Sequence, residues 1–233
     1  MATMYEQLMN LPLFRGISHA QLSEIVGNTK LHFLKYPADE TIIRAGEPCT
    51  HLAFVLGGKV RATTVNANGR FSVSYILECP AVISPDFLYG RTTAYPCTVV
   101  ACDDVSILKI SKSDYTRILN SDPVFMFNYL NTLSANAQKA LEGILSLTTG
   151  EIDERIAFWI SALTQPGSTD IILACRKRDL YSLFGVQRAT FDAGLESMKE
   201  RGLIEYTQNE MRINDRAQLL DLLINNHESS DNE

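Results

Sequence analysis

Between Phe125 and Thr148 the chain contains no proline and a single glycine, Gly143. Within that stretch Phe127, Leu130, Ser134, Ala137, Leu141, Ile144 and Thr148 recur at alternating spacings of three and four. That rhythm marks one face of a long helix, a seam with Ser134 and Thr148 as its polar members. A helix of about 25 residues extends about 37 Å, further than a small domain can cover. The seam can pack on its own domain or on the same helix of a second copy. The length favours the second copy, so Phe127, Leu130, Ser134, Ala137, Leu141 and Ile144 are the expected homodimer contacts.

The chain changes character on either side of this helix. Met4 to Val26 holds two short helical patterns, the second opened by Ser18, a good N-cap. From Leu31 to Ile110, short apolar runs alternate with Gly, Pro and Asn turn signals, the pattern of an antiparallel roll or barrel. Within VNANGRFSV, Asn68-Gly69 is expected to supply the positive φ angles of a tight hairpin turn. SKSDYTRILN reads as a short helix with a Ser cap, and Ser121-Asp122-Pro123 opens the long one, with proline tolerated in the first turn.

Beyond the long helix come EIDERIAFWISALT (helix), the Gln165-Pro166-Gly167 break, DIILAC (strand), KRDLYSLFG (helix), RATFDAGLESMKERG (helix), LIEYTQ and MRIN. Two short helices about a tight turn, followed by a small hairpin, form a winged helix-turn-helix. Gly185 stands where the chain must turn, and Leu180, Leu183, Phe184, Phe191 and Leu195 supply the facing apolar surfaces. The second helix presents Gln187, Arg188 and Thr190 near its N-terminus, where Arg pairs with guanine and Gln with adenine. Arg176, Lys177 and Arg178, at the start of the first helix, suit phosphate contacts. Gln187 stands in place of the usual Ser, Thr, Asp or Asn cap.

Charge opposes this reading at long range. From Gly150 onward there are 9 basic and 15 acidic residues, so the whole net charge of −6 lies there, while the first 149 residues balance at 12 and 12. Attraction to phosphates must be local, and residues 176–201 do hold 6 basic against 4 acidic side chains. A winged helix that contacts protein, on a ligand-sensing or dimerisation module, therefore stays open as the alternative. An enzyme is not expected: GxSxG, HExxH, GxxxxGK[ST] and GxGxxG are absent. The five cysteines are scattered without a CxxC pair, which suggests neither a disulfide framework nor a metal site. No apolar run reaches the roughly 18 residues of a membrane span, and MATMYEQLMNLPLFRG lacks the features of a signal peptide. A cytoplasmic location is expected.

The order of these parts resembles the Crp/Fnr family of transcription regulators, over nearly the whole chain. LPLFRGISHAQLSEI is similar to the family's N-terminal segment, and AGEPCTHLAFVLGGKVRATTV to its β-roll core, with Gly46 and Gly58 at turns. DERIAFWISAL and KRDLYSLFGVQRATFDAGLESMKERGLIE resemble its hinge-side helix and DNA-reading unit, where Arg188 matches the principal base-reading arginine. The resemblance implies an α+β architecture. A cyclic-nucleotide-binding-like β-roll (a double-stranded β-helix) spans 1–120, a dimerisation helix 121–149 and a winged helix-turn-helix 150–226, with a disordered tail at 227–233. It implies a homodimer bound to palindromic double-stranded DNA, with RNA polymerase as a further partner, an unidentified effector, and no cofactor.

The departures bear on the effector. Family members that bind cyclic AMP hold its ribose with a Gly-Glu pair and its phosphate with an Arg followed by Ser or Thr. The corresponding positions here are Ser84-Pro85 and Tyr95-Pro96, and the pair that meets the adenine falls at Ala140-Leu141. Proline removes a donor and tyrosine brings no positive charge. Ser84, Pro85, Asp86, Tyr89, Tyr95 and Cys97 are thus expected to line an altered pocket that does not take cyclic AMP. Iron–sulfur members need N-terminal cysteines, whereas the first cysteine here is Cys49. No haem ligand pattern is present among His19, His32, His51 and the methionines. The family's reading Arg-Glu pair is Arg188-Ala189 here, and its second reading Arg is Ala193, which implies a different half-site.

Overall fold

The computed structural model describes residues 4–148 and 150–221, and its elements follow the expected order. These are α1 (Met4–Met9), α2 (His19–Asn28), β1 (Leu31–Tyr36), β2 (Thr41–Ile43), β3 (His51–Gly57), β4 (Lys59–Val65), β5 (Ser72–Glu78), β6 (Ala81–Ile83), β7 (Thr98–Ala101), β8 (Val105–Ser111), α3 (Lys112–Ser121) and α4 (Pro123–Leu145). Then come α5 (Ile152–Leu163), β9 (Thr169–Ala174), α6 (Lys177–Leu183), α7 (Arg188–Glu200), β10 (Glu205–Tyr206) and β11 (Glu210–Asp215). The described residues form two compact units. One runs to Ala62 and resumes over Glu78–Ala135; the other joins Thr63–Leu77 to everything from Asn136 onward.

In the first unit, strands β1, β8, β3 and β6 form one antiparallel sheet in that order, and β2 pairs with β7. Ser18 and Gln21 complete a capping box at the start of α2: each side chain accepts from the other's backbone N–H, at 3.3 and 2.8 Å. Ser111 caps α3 by accepting from Asp114 N at 3.1 Å. The fully buried rings of Phe14, Phe54 and Phe125 meet edge to face at 5.3–5.6 Å and tie the N-terminal segment, β3 and α4 into one core. Gly58 turns β3 into β4 at φ +81°, where a Cβ would lie 2.6 Å from the Asp104 carbonyl oxygen. Only glycine fits there.

Helix α4 has two unlike faces. Phe125, Tyr129 and Gly143 are buried, whereas Phe127, Leu130, Ser134, Ala137, Leu141 and Ile144 are all exposed. Gly143 is the point of closest approach to α5, since a Cβ there would collide with the Cβ of Ala162.

In the second unit, β11 pairs antiparallel with β10 and β9, and β9 pairs on its other edge with β5. Leu173 lies between Met211 and Val73 in register, and all three are buried. The strand paired with β9 on that edge therefore comes from roughly a hundred residues upstream. The β4–β5 turn differs from the expected one: Gly69 has φ +68°, but Asn68 does not take a positive φ. Instead the Asn68 side chain accepts from Arg70 N at 3.0 Å and that of Asn66 from Phe71 N at 3.1 Å, giving a longer, side-chain-braced loop. Gly150, shortly after α4, has φ +93°, and Thr149 before it lies outside the described residues. The tail 227–233 lies outside them too.

Candidate DNA-reading surface

Helices α6 and α7 are joined through Gly185, whose φ of +63° lets the chain reverse within Phe184–Gln187. Leu180, Phe184, Phe191, Leu195 and Met198 are buried between and beneath the two helices, whereas Leu183, expected among them, is 45% exposed. Gly194 gives α7 its tight seat: a Cβ there would collide with Ile152 on α5. Because these residues fix the inward face of α7, the outward face carries Gln187, Arg188, Ala189, Thr190 and Ala193, all exposed. Gln187 occupies the N-cap with extended backbone and no side-chain capping bond. Its amide and the first N–H groups of α7 are therefore not consumed by a local cap.

The six basic and polar positions singled out in the sequence have different fates. Arg178, Gln187 and Thr190 are exposed. Arg176 is bound to Asp179 through Nε and Nη2 at 3.0 and 3.2 Å. Lys177 turns inward: its Nζ lies 2.9 Å from Asp192 Oδ1 and 4.5 Å from the centre of the Tyr206 ring. Arg188 Nε lies 3.4 Å from the other oxygen of Asp192. Tyr206 on the wing donates its hydroxyl to Glu196 Oε2 at 2.7 Å, and Lys199 approaches the same carboxylate at 3.4 Å. A chain of alternating charges thus joins α6, α7 and the wing.

The ionisation of these groups follows from that chain. The Lys177 ammonium, and then Arg188, hold the Asp192 carboxyl below its ordinary value. The Tyr206 hydroxyl, then Lys199, hold Glu196 below its own, and in return the bond to Glu196 pushes the Tyr206 phenol up to about 12. Both carboxylates stay charged at neutral pH. Asp192, Glu196 and Tyr206 were not singled out in the sequence, although the i,i+4 spacing of Arg188 and Asp192 is a legible signal for the first of them.

Arg155 also lacks an obvious sequence signal. Its guanidinium is buried on α5, donates to the carbonyl oxygens of Ser146 (3.1 Å), Leu147 and Phe184, and lies over the Phe184 ring. It thereby fastens the carboxyl end of α4 to the turn between α6 and α7.

The six expected pocket positions sit in the first unit. Ser84 is buried with φ +46°, its Oγ 3.7 Å from Cys97 Sγ. The carbonyl of Pro85 accepts from the Tyr129 hydroxyl at 2.8 Å. Tyr89 shares a hydrogen bond with Thr116 at 2.7 Å, beneath the Lys112 ammonium, and its ring meets that of Tyr129. Ser84, Pro85, Cys97 and Tyr89 are thus held by internal partners. Tyr95 turns elsewhere and donates to the His51 carbonyl at 2.6 Å, while Asp86 is exposed. Burial pushes the Tyr95 phenol and the Cys97 thiol up, so both are protonated at neutral pH.

Comparison with known proteins agrees with this arrangement. Residues 33–122 match the cyclic nucleotide-binding domain family, and residues 154–222 match the Crp-like helix-turn-helix domain. The cAMP-activated global transcriptional regulator CRP of Haemophilus influenzae is 23% identical over 186 residues, covering 76% of this chain and 81% of that protein. Its namesake in Pasteurella multocida is 20% identical over 180 residues, covering 74% and 85%. The catabolite activator protein of Thermus thermophilus has the same fold, with a TM-score of 0.51 at 19% identity over 92% of this chain and 99% of that one. A cyclic nucleotide-binding domain match and a Crp-like helix-turn-helix match, in that order and with the long helix α4 between them, place the chain in the Crp/Fnr family of DNA-binding transcription regulators.

Proposed function

We propose that the chain acts as a homodimer on palindromic sites, reading bases with Gln187, Arg188 and Thr190 and touching phosphates with Arg176 and Arg178. The observation that carries this is the outward face of α7. Its first turn is exposed and uncapped, on a helix whose opposite face is buried. The dimer contact is the α4 seam, where Phe127 and Ile144 are each 64% exposed and Leu141 57%. Pairing there brings two recognition helices to half-sites about 34 Å apart. Lys177, engaged with Asp192, acts by bracing the reading helix rather than as a free phosphate contact.

The division of labour is a sensor over 1–120, a dimerisation helix over 121–149 and a reader over 150–226. The sensor does not respond to cyclic AMP. Ser84, Pro85, Tyr89, Tyr95 and Cys97 bring no positive charge, and their polar atoms bond within the domain. An effector of another kind, contact with RNA polymerase, a cytoplasmic location and the absence of catalysis complete the reading, on the strength of the family. Selection of bound sequences from a random duplex library, with purified protein and no added ligand, tests it. An enriched palindrome is the expected result, and monomeric protein with no enrichment would overturn it. Calorimetry with cyclic AMP is expected to show no binding at micromolar concentration.

A further inference from the structure

The Arg188 side chain stands well exposed on the reading face, at 76%. An unrestrained arginine there samples many rotamers, and each must be frozen out before its guanidinium can meet a base edge. Asp192 lies one helical turn further on and removes part of that freedom. It meets Arg188 through Nε, at 3.4 Å, and not through the Nη1–Nη2 edge. That is the edge that pairs with the O6 and N7 atoms of guanine.

Asp192 is itself restrained from behind. Its second oxygen lies 2.9 Å from Lys177 on α6, and Lys177 rests over the ring of Tyr206, which is fixed in turn by Glu196. An isolated i,i+4 pair on a helix surface contributes little to stability. This one is tied to three elements, so what it sets is direction. Its charge works against its location, because a carboxylate at the DNA-facing end of α7 repels phosphates. Removing it is therefore expected to move affinity and selectivity in opposite directions, which a merely structural residue would not do.

We propose that Asp192 is a positioning residue for base reading: held by Lys177, it orients the Arg188 guanidinium so that one base position of each half-site is read as guanine. This rests on Arg188 being a base reader, and the test separates the two. Binding profiles on a library of single-base variants of the selected site are compared for the unaltered protein, Asp192→Ala, Asp192→Asn, Asp192→Glu and Arg188→Ala. Arg188→Ala is expected to flatten the preference at one position. Asp192→Ala is expected to reduce it about fivefold at that same position, and to raise affinity for non-specific duplex about threefold. Asp192→Asn keeps the side-chain volume and is expected to behave like the alanine variant in weaker form. Asp192→Glu keeps a carboxylate within reach of Arg188 and is expected to restore the preference. In the Arg188→Ala background, Asp192→Ala should change no base preference. If Arg188→Ala flattens one position while the alanine and asparagine variants of Asp192 leave it within twofold of the original, the positioning role is wrong. If Arg188→Ala alters no position, the reader assignment falls and the role of Asp192 falls with it.

Discussion

Phe71, at the mouth of β5, lies with its ring 5.6 Å from that of Trp159 on α5, tilted by 48°. Trp159 meets Phe184 edge-on at 5.6 Å, and Phe184 stacks on Phe191 of the reading helix at 6.0 Å. A file of four aromatic rings therefore runs from the β4–β5 hairpin to α7. Phe71 belongs to the stretch matched by the nucleotide-binding family, whereas the other three belong to the helix-turn-helix match. The second unit is thus assembled from both parts of the sequence.

Trp159 is the only tryptophan of the chain, so tryptophan fluorescence reports on this site alone. Phe71→Ala is expected to shift the emission to the red by exposing one face of the indole. It should also lower the stability of the second unit by about 2 kcal/mol, less than for a fully buried phenylalanine because Phe71 is only partly covered. Urea denaturation followed at the tryptophan measures both. An unchanged spectrum and midpoint would mean that the hairpin does not pack there in solution.

Arg155 donates to three carbonyl groups, those of Ser146, Leu147 and Phe184. Arg155→Met keeps much of the packing over Phe184 but leaves those carbonyls without a charged donor. A cost of about 3 kcal/mol is expected, read in the same denaturation experiment. Arg155→Lys, with its point charge and different reach, should recover only part of it.

The second unit also predicts a pH response. Burial, and to a lesser degree Asp179, push the Cys175 thiol up to about 11 from an ordinary value of 9.0. Its thiolate fraction at pH 8 is then about a hundredfold below that of an ordinary thiol. Iodoacetamide at pH 8 is expected to modify the exposed Cys79 and Cys102 well before Cys175, as read by peptide mass spectrometry. A raised value means that folding favours the protonated thiol. That contribution is complete below pH 9 and is lost as the pH climbs towards 11. Stability should fall over this window, and Cys175→Ala should reduce the fall. Cys175 labelling as fast as Cys79 would contradict the burial.

Local signals in the sequence were sufficient for what local signals govern. The Ser18 and Ser111 caps, the Pro123 start of α4 and the Gly185 turn each depend on a few adjacent residues, and each is found as expected. The hairpin loop was placed correctly but conformed differently, because Asn66 and Asn68 used their side chains where a tighter turn would use backbone angles. The pairing of β5 with β9 was not legible at all: alternation of apolar and polar residues marks a strand but does not say which distant strand it joins. The role of Arg155 was not legible either, since its three acceptors are backbone atoms that carry no sequence signature. The sequence puts Lys177 among the phosphate contacts, and its place at the start of α6 gives no hint that Asp192 and Tyr206 converge on it.

Leu141 provides the test of the α4 seam. In a single chain its side chain is 57% exposed, alongside Phe127, Leu130 and Ile144, and large apolar side chains exposed along one helix face have little reason to stay in water. Against a second copy each would insert between residues of the facing helix, and Ser134 near the middle would fix the register. Leu141→Arg puts a charge into that contact from both sides at once, because a two-fold interface repeats every substitution. Dimer affinity is expected to fall by at least about a hundredfold, equivalent to about 3 kcal/mol. The fold should survive, since Leu141 contributes little to the core of either unit. Leu145→Arg is the control: that side chain is 59% exposed but off the seam spacing, so it should disturb dimerisation less. Sedimentation of both variants decides between the alternatives. Equal weakening would centre the interface between Leu141 and Leu145 rather than on the seam, and no weakening in either would remove the helix from the interface.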